Sequence, residues 1–223
     1  GGGERSSGSG AGGSEGLPVL VVAEAKTVRR RLAAVIDGAW LSARIGAALA
    51  LRTRLYDAPF YRLIHAEGDA LPGLIVDRFG DTLVMQPNAI WLEERQDALV
   101  AALLAATGCT RLIKNGTSRA RLAEGLPEVT EMLAGAAPEG PIPVPMSGAI
   151  YMADVMGGQK TGLFYDQRDN HAFAARLARG ARVLDVFSHV GGFGLAALAA
   201  GAASTLAGDG SQPALDLARA GAE

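Results

Sequence analysis

The chain has 223 residues, 49% of them hydrophobic and 20% charged, with a formal net charge of −2. That length supports one large domain or two small ones, and no apolar run approaches the ~20 residues of a membrane span. The single Cys109 excludes an internal disulfide, no metal-ligating set is predicted, and no secretory signal is visible, so a reducing, cytoplasmic setting without membrane association is expected. The charge balance gives no whole-chain support to a nucleic-acid partner. Any basic surface is local: Arg29 to Arg31 form one cluster, and Arg111, Lys114, Arg119 and Arg121 another, both read from the residues as solvated faces.

Residues 1–16 are almost entirely Gly and Ser and read as a disordered tail. An isolated strand over 17–23 follows, and 1–33 is left unassigned. A first unit is predicted over 34–145. Asp37 caps a helix over 37–55 whose apolar stripe is Trp40, Leu41, Ile45, Leu49 and the stem of Arg52. A β-meander follows, with strands over 61–66, 74–78 and 82–86 joined at Leu71-Pro72-Gly73 and Gly80-Asp81. A helix over 91–106 stops at Gly108, and a short strand spans 110–114. Four prolines within 138–145 rule out a helix and read as an extended connector, where the domain boundary is placed.

A second unit is predicted over 146–223. A strand over 149–153, a hairpin turn at Gly157-Gly158 and a segment over 160–165 precede a helix over 167–178, capped by Asp166 and closed by Gly180. Then come a strand over 182–187, a Gly-rich loop over 188–194, a helix over 193–200, a strand over 204–207 and a helix over 213–220. This β-loop-α-β-α order implies a parallel sheet and an α/β fold class.

The chemistry is read in the second unit. Gly191 and Gly192 permit close backbone approach to a ligand, and the helix after them presents free N–H groups. Asp209 ends the second strand, where a carboxylate can accept from both hydroxyls of a ribose. The interval from Gly191 to Asp209 fits the ~20-residue spacing of a nucleoside-binding β-α-β unit. The loop lacks GxGxxG spacing. From these residues two readings stay open: an adenosyl-type site, or an ordinary turn with an Asp that only caps it.

The run Lys160-Thr161-Gly162-Leu163-Phe164-Tyr165-Asp166-Gln167-Arg168-Asp169-Asn170 resembles the large-subunit rRNA cytosine-C5 methyltransferase family. So do Val183 to Ser188, Gly191-Gly192-Phe193 and the stretch 61–80. The resemblance covers about 34–223. It implies a small α+β central domain that contacts RNA, then the N-terminal part of a Rossmann-like fold that binds S-adenosylmethionine (SAM). It implies large-subunit rRNA as partner and leaves a homodimer open. By position, Asp185, Ser188, Gly191, Gly192 and Phe193 would line the SAM site and Asp209 would hold the ribose. Lys160, Thr161, Phe164, Asp166, Gln167 and Arg168 would lie beside the methionine end, with the Arg168 guanidinium suited to its carboxylate.

The departures are specific. His189-Val190 replaces the family's Tyr-Thr, and His189 is given no role. The family's leading PUA domain is not recognisable, and neither is its Asp-Pro-Pro motif. The nucleophilic Cys of the family is expected beyond Glu223, so no catalytic residue is assigned here. Cys109 reads as a small, partly buried residue. The resulting expectation is an rRNA methyltransferase segment, inactive alone. A non-catalytic RNA-binding scaffold is the alternative, and a nicotinamide or flavin Rossmann domain is disfavoured by the missing GxGxxG.

Overall fold

A computed structural model describes residues 35–157 and 161–223. The tail, the strand over 17–23, Arg29 to Arg31, Gly158 and Lys160 lie outside the described residues.

Helix α1 (Gly38–Leu55) starts as expected: Asp37 Oδ1 accepts the Trp40 N–H at 2.8 Å. Leu41, Ile45 and Ala48 form its buried stripe. The meander is also present as β1 (Phe60–His65), β2 (Leu74–Phe79) and β3 (Thr82–Pro87), paired antiparallel in sequence order. The expected helix over 91–106 is instead two helices, α2 (Ile90–Glu93) and α3 (Gln96–Thr107). The break turns Glu93 onto Lys114 at 2.7 Å and Arg121 at 2.6 Å. Strand β4 (Arg111–Asn115) pairs parallel to β3, and α4 (Arg119–Ala123) and β5 (Thr130–Ala134) complete a five-stranded sheet of order β1-β2-β3-β4-β5.

The proline-rich connector contains a strand. β6 (Ile142–Met146) forms a hairpin with β7 (Ala149–Ala153). Pro143 and Pro145 alternate outward while Val144 and Met146 are buried, the placement that tolerates proline in a strand without an outer neighbour. The hairpin closes at Ser147-Gly148, both with positive φ (54° and 79°), as a tight turn requires. The predicted turn at Gly157 is therefore not the hairpin turn. After β7 the chain bends on Asp154, whose Oδ1 accepts the N–H groups of Met156 and Gly157.

Asp166 does not cap a helix. It lies inside a 3-10 turn, Tyr165–Gln167, held by the Tyr165 hydroxyl donating to the Arg78 carbonyl at 2.9 Å, and α5 (Arg168–Ala175) follows. Next come β8 (Arg182–Val186), α6 (Gly192–Ala199), β9 (Ser204–Gly208) and α7 (Gln212–Ala222), with β8 and β9 parallel. Ser211 caps α7 through the Ala214 N–H. Phe79, Val84 and Ile113 of the large sheet share one core cluster with Val144 and Tyr151 of the hairpin and with Leu163, Val190 and Leu195. That cluster seats the Gly-rich loop against the rest of the chain. Mixed helices and sheets in this order give the α/β class.

Candidate functional site

The loop after β8 is built on unusual backbone. Phe187, His189 and Gly191 have φ of 59°, 51° and 79°. Such angles at two non-glycine residues persist only where surroundings fix them. Here the Ser188 N–H extends the β8–β9 ladder to the Gly208 carbonyl (3.1 Å), and the Ser188 carbonyl accepts from Gly191 at 2.8 Å. The His189 N–H donates to Asp209 Oδ2 at 2.8 Å, and Asp209 Oδ1 accepts from Ser211 at 2.9 Å. These backbone donors hold the Asp209 carboxyl below its ordinary range, so it is ionised at neutral pH. Each carboxylate oxygen keeps a lone pair for a further donor.

Asp185 and Asp209 divide the work. Asp185 is 6% exposed and its Oδ2 accepts the Gly194 N–H at 2.9 Å. Burial pushes its carboxyl up, against the backbone donors of Gly194 and Phe193. It fastens the first turn of α6 from below, whereas Asp209 lies at the surface. Ser188 is 5% exposed, and its Oγ is buried with no hydrogen-bond partner among the described residues.

Gly192 also has a packing reason to be small. A Cβ there would lie 2.5 Å from His171 Nε2. His171 is buried at 5% exposure, stacks on Tyr151 (6.2 Å between centroids) and meets Phe193 edge-on at 4.6 Å. Tyr151 donates to the Gly192 carbonyl at 3.2 Å, and burial pushes its hydroxyl up to about 12. Tyr151 and His171 thus position the α6 N-terminus, yet nothing local in the sequence marks them. His189, given no role from sequence, meets Phe164 edge-on at 4.8 Å beside Asp209.

The described residues of that run, 161–168, disperse. Thr161 is fully buried and donates to Asp77 Oδ2 at 2.6 Å, where Asp77 also holds Arg62. Phe164 faces the loop through His189. Asp166 is exposed, and Gln167 accepts from Asn170. The Arg168 guanidinium lies over Tyr56 at 4.3 Å and donates to the Phe60 carbonyl; none of these partners belongs to the loop. The second basic cluster is a solvated face only at Arg119 and, in part, Arg111. Lys114 and Arg121 are 4% and 0% exposed, drawn inward by Glu93, and Arg111 faces Asp81 at 3.4 Å.

Burial lowers His171 to about 4 from an ordinary value of 6.5. A histidine with a depressed folded pKa takes up a proton on unfolding. Its stabilising contribution is complete above pH ~6.5 and is lost as pH falls toward 4. The difference in urea-unfolding free energy between the parent and His171→Leu should shrink over that window by up to about 3 kcal/mol. A difference that stays constant from pH 7 to 4.5 would show that His171 titrates normally.

Residues 114–222 match the sequence model of the S-adenosylmethionine-dependent methyltransferase family. The chain is 41% identical over 163 residues to the ribosomal RNA large subunit methyltransferase I of Photobacterium profundum, and 40% identical over 164 residues to that of Aeromonas hydrophila. Each alignment covers 73% of this chain but 41% of the relative, so the chain spans about two fifths of the length of these relatives. Among solved structures, a protein from Streptococcus mutans assigned as a SAM-dependent methyltransferase superposes with a TM-score of 0.73 at 22% identity, covering 84% of this chain and 49% of that one. A second protein assigned as a methyltransferase and complexed with SAH superposes with a TM-score of 0.72 at 22% identity, covering 84% of this chain and 48% of that one. The fold is that of SAM-dependent methyltransferases.

Proposed function

We propose that the chain is the SAM-binding and part of the RNA-contacting portion of a large-subunit rRNA methyltransferase. The observation that carries this is Asp209: an ionised carboxylate fixed by two backbone N–H groups, at the end of β9 and joined through His189 to the Gly-rich loop. A ribose diol needs such an acceptor pair. The buried, unpartnered Ser188 Oγ in the same loop fits a polar ligand group. The family match over 114–222 and the rRNA methyltransferase relatives support the same reading. In it, residues 34–145 form the RNA-contacting unit and 146–223 the cofactor unit, in a cytoplasmic protein. Self-association as a homodimer would show in its elution volume.

When bound, SAM supplies an electrophilic methyl group. The chain's part is to bind and orient. Asp209 would take the ribose hydroxyls, Ser188 and Gly191 to Phe193 would border the nucleoside, and Phe164 and His189 would offer an aromatic wall. Asp166 and Gln167 remain candidates beside the methionine end, as does Lys160. Thr161 and Arg168 are engaged by Asp77 and Phe60, so any contact they make with SAM requires those bonds to be shared. Asp185 would act through the helix it fastens.

We further propose C5 of a cytosine as the methyl acceptor, a reading that rests on the family resemblance. That chemistry uses a thiolate nucleophile, and Cys109 cannot serve: it is 6% exposed with Sγ against the Gly80 carbonyl at 3.6 Å. This favours, for the 223 residues alone, binding without catalysis. Calorimetric titration should detect SAM binding that Asp209→Ala clearly weakens, while a methyl-transfer assay on rRNA stays at background. SAM binding indifferent to Asp209→Ala would remove the site assignment, and methyl transfer by the isolated chain would remove the inactivity.

A further inference from the structure

We propose that the cavity in front of Arg168 is an RNA subsite, taking one unpaired nucleotide with its phosphate on Arg168 and an amino-bearing base toward Asp57. The proposal rests on the RNA-methyltransferase reading and gives an RNA contact to Arg168, which the resemblance set beside the methionine end of SAM. Of the second basic cluster, Lys114 and Arg121 are buried on Glu93, and Arg111 pairs with Asp81 at the surface. Arg168 differs. Its guanidinium is held by the Phe60 carbonyl and the Tyr56 ring, and its Nε is buried without a partner among the described residues. Tyr56 is itself stacked on Tyr61 at 5.4 Å, and Tyr165 lies 5.6 Å from the guanidinium. This stack fixes the guanidinium without neutralising it. No carboxylate pairs with it among the described residues.

A cavity of about 230 Å³ opens there, lined by Tyr56, Asp57, Phe60, Met146, Ser147 and Arg168. Asp57 is exposed and makes no ion pair among the described residues. Two opposite charges therefore line one space without pairing. A ligand matching both carries an anionic group and a donor, joined by a flat body that can lie on Phe60 and Met146. A nucleotide has these parts: a phosphate for a guanidinium, a base for the apolar wall, and an exocyclic amine for a carboxylate. Free phosphate answers Arg168 but sets an anion against Asp57. Uridylate lacks the exocyclic amine and offers the carboxylate only its ring N3–H.

The test is fluorescence anisotropy of labelled cytidine and uridine hexanucleotides titrated with the full chain. The expected result is tighter binding of the cytidine strand. Arg168→Gln should weaken that binding about tenfold and lower its salt dependence by about one phosphate contact. Ala58→Trp, at an exposed position on the cavity wall, should weaken it similarly by filling the space with Arg168 intact. Asp57→Asn should erase the preference for cytidine. Equal affinity in parent and Ala58→Trp, with matching unfolding midpoints, overturns the proposal. So does displacement of the strand by equimolar inorganic phosphate, or no binding by the parent. SAM titration on the same samples separates the two readings: strand binding without SAM binding removes the methyltransferase reading and leaves the subsite, and SAM binding without strand binding does the reverse.

Discussion

Glu93→Ala is expected to destabilise the chain by about 3–5 kcal/mol, far beyond an ordinary surface substitution. Glu93 stands between two buried cations. Its Oε2 accepts from Lys114 at 2.7 Å and its Oε1 from Arg121 at 2.6 Å. Lys114 has further partners in Gln96 at 2.7 Å and Glu131 at 3.4 Å. Arg121 has carbonyls of Pro87 and Pro127 but, among the described residues, no second carboxylate. Truncating Glu93 therefore leaves a fully buried guanidinium uncompensated. Both cations lower the Glu93 carboxyl, although burial alone would raise it. Its contribution is present above the unfolded value near 4.5 and is lost as pH falls through the lower folded value. Urea unfolding at pH 7 measures the effect directly. A loss under about 1 kcal/mol, the range of an exposed pair, would mean that the network carries little.

The same network explains what the sequence did and did not disclose. Charges at 111, 114, 119 and 121 look like a surface because nothing local tells that Glu93, 21 and 28 residues upstream, will turn Lys114 and Arg121 inward. The break between α2 and α3 that delivers Glu93 has no Gly or Pro to announce it. Elements with local cues were legible: Asp37 capping α1, the turns at Gly73 and Gly80, and the β8-loop-α6-β9 unit. β6 was hidden by prolines that point outward. At the site, Asp209 and the loop were readable because spacing along one β-α-β unit defines them. Thr161 and Arg168 were grouped with the cofactor by resemblance, whereas their observed bonds reach Asp77 and Phe60, partners some eighty and one hundred residues away. Tyr151 and His171 come from a different strand and helix and meet the loop only in three dimensions.

That meeting sets the second large effect. Gly192→Ala should abolish measurable SAM binding while the far-side sheet stays folded. The added methyl would sit 2.5 Å from His171 Nε2 and 2.6 Å from its Cε1, inside any real carbon contact. A free side chain would swing away, but this imidazole is buried between Tyr151 and Phe193. The strain must fall on the α6 N-terminus, because Tyr151 ties the Gly192 carbonyl from the same side. Misplacing that turn displaces Ser188 and His189, and through His189 it disturbs Asp209. His171→Ala alone should cost stability, as removing a buried ring does, and weaken SAM binding less. Combining the two substitutions supplies the methyl with the space the ring vacates, so the double variant should bind SAM better than Gly192→Ala. The sign of that coupling is the decisive readout, measured by calorimetry at pH 7. If His171→Ala fails to restore any binding to Gly192→Ala while both proteins keep parental circular dichroism, then Gly192 is small for the ligand and not for the histidine beneath it.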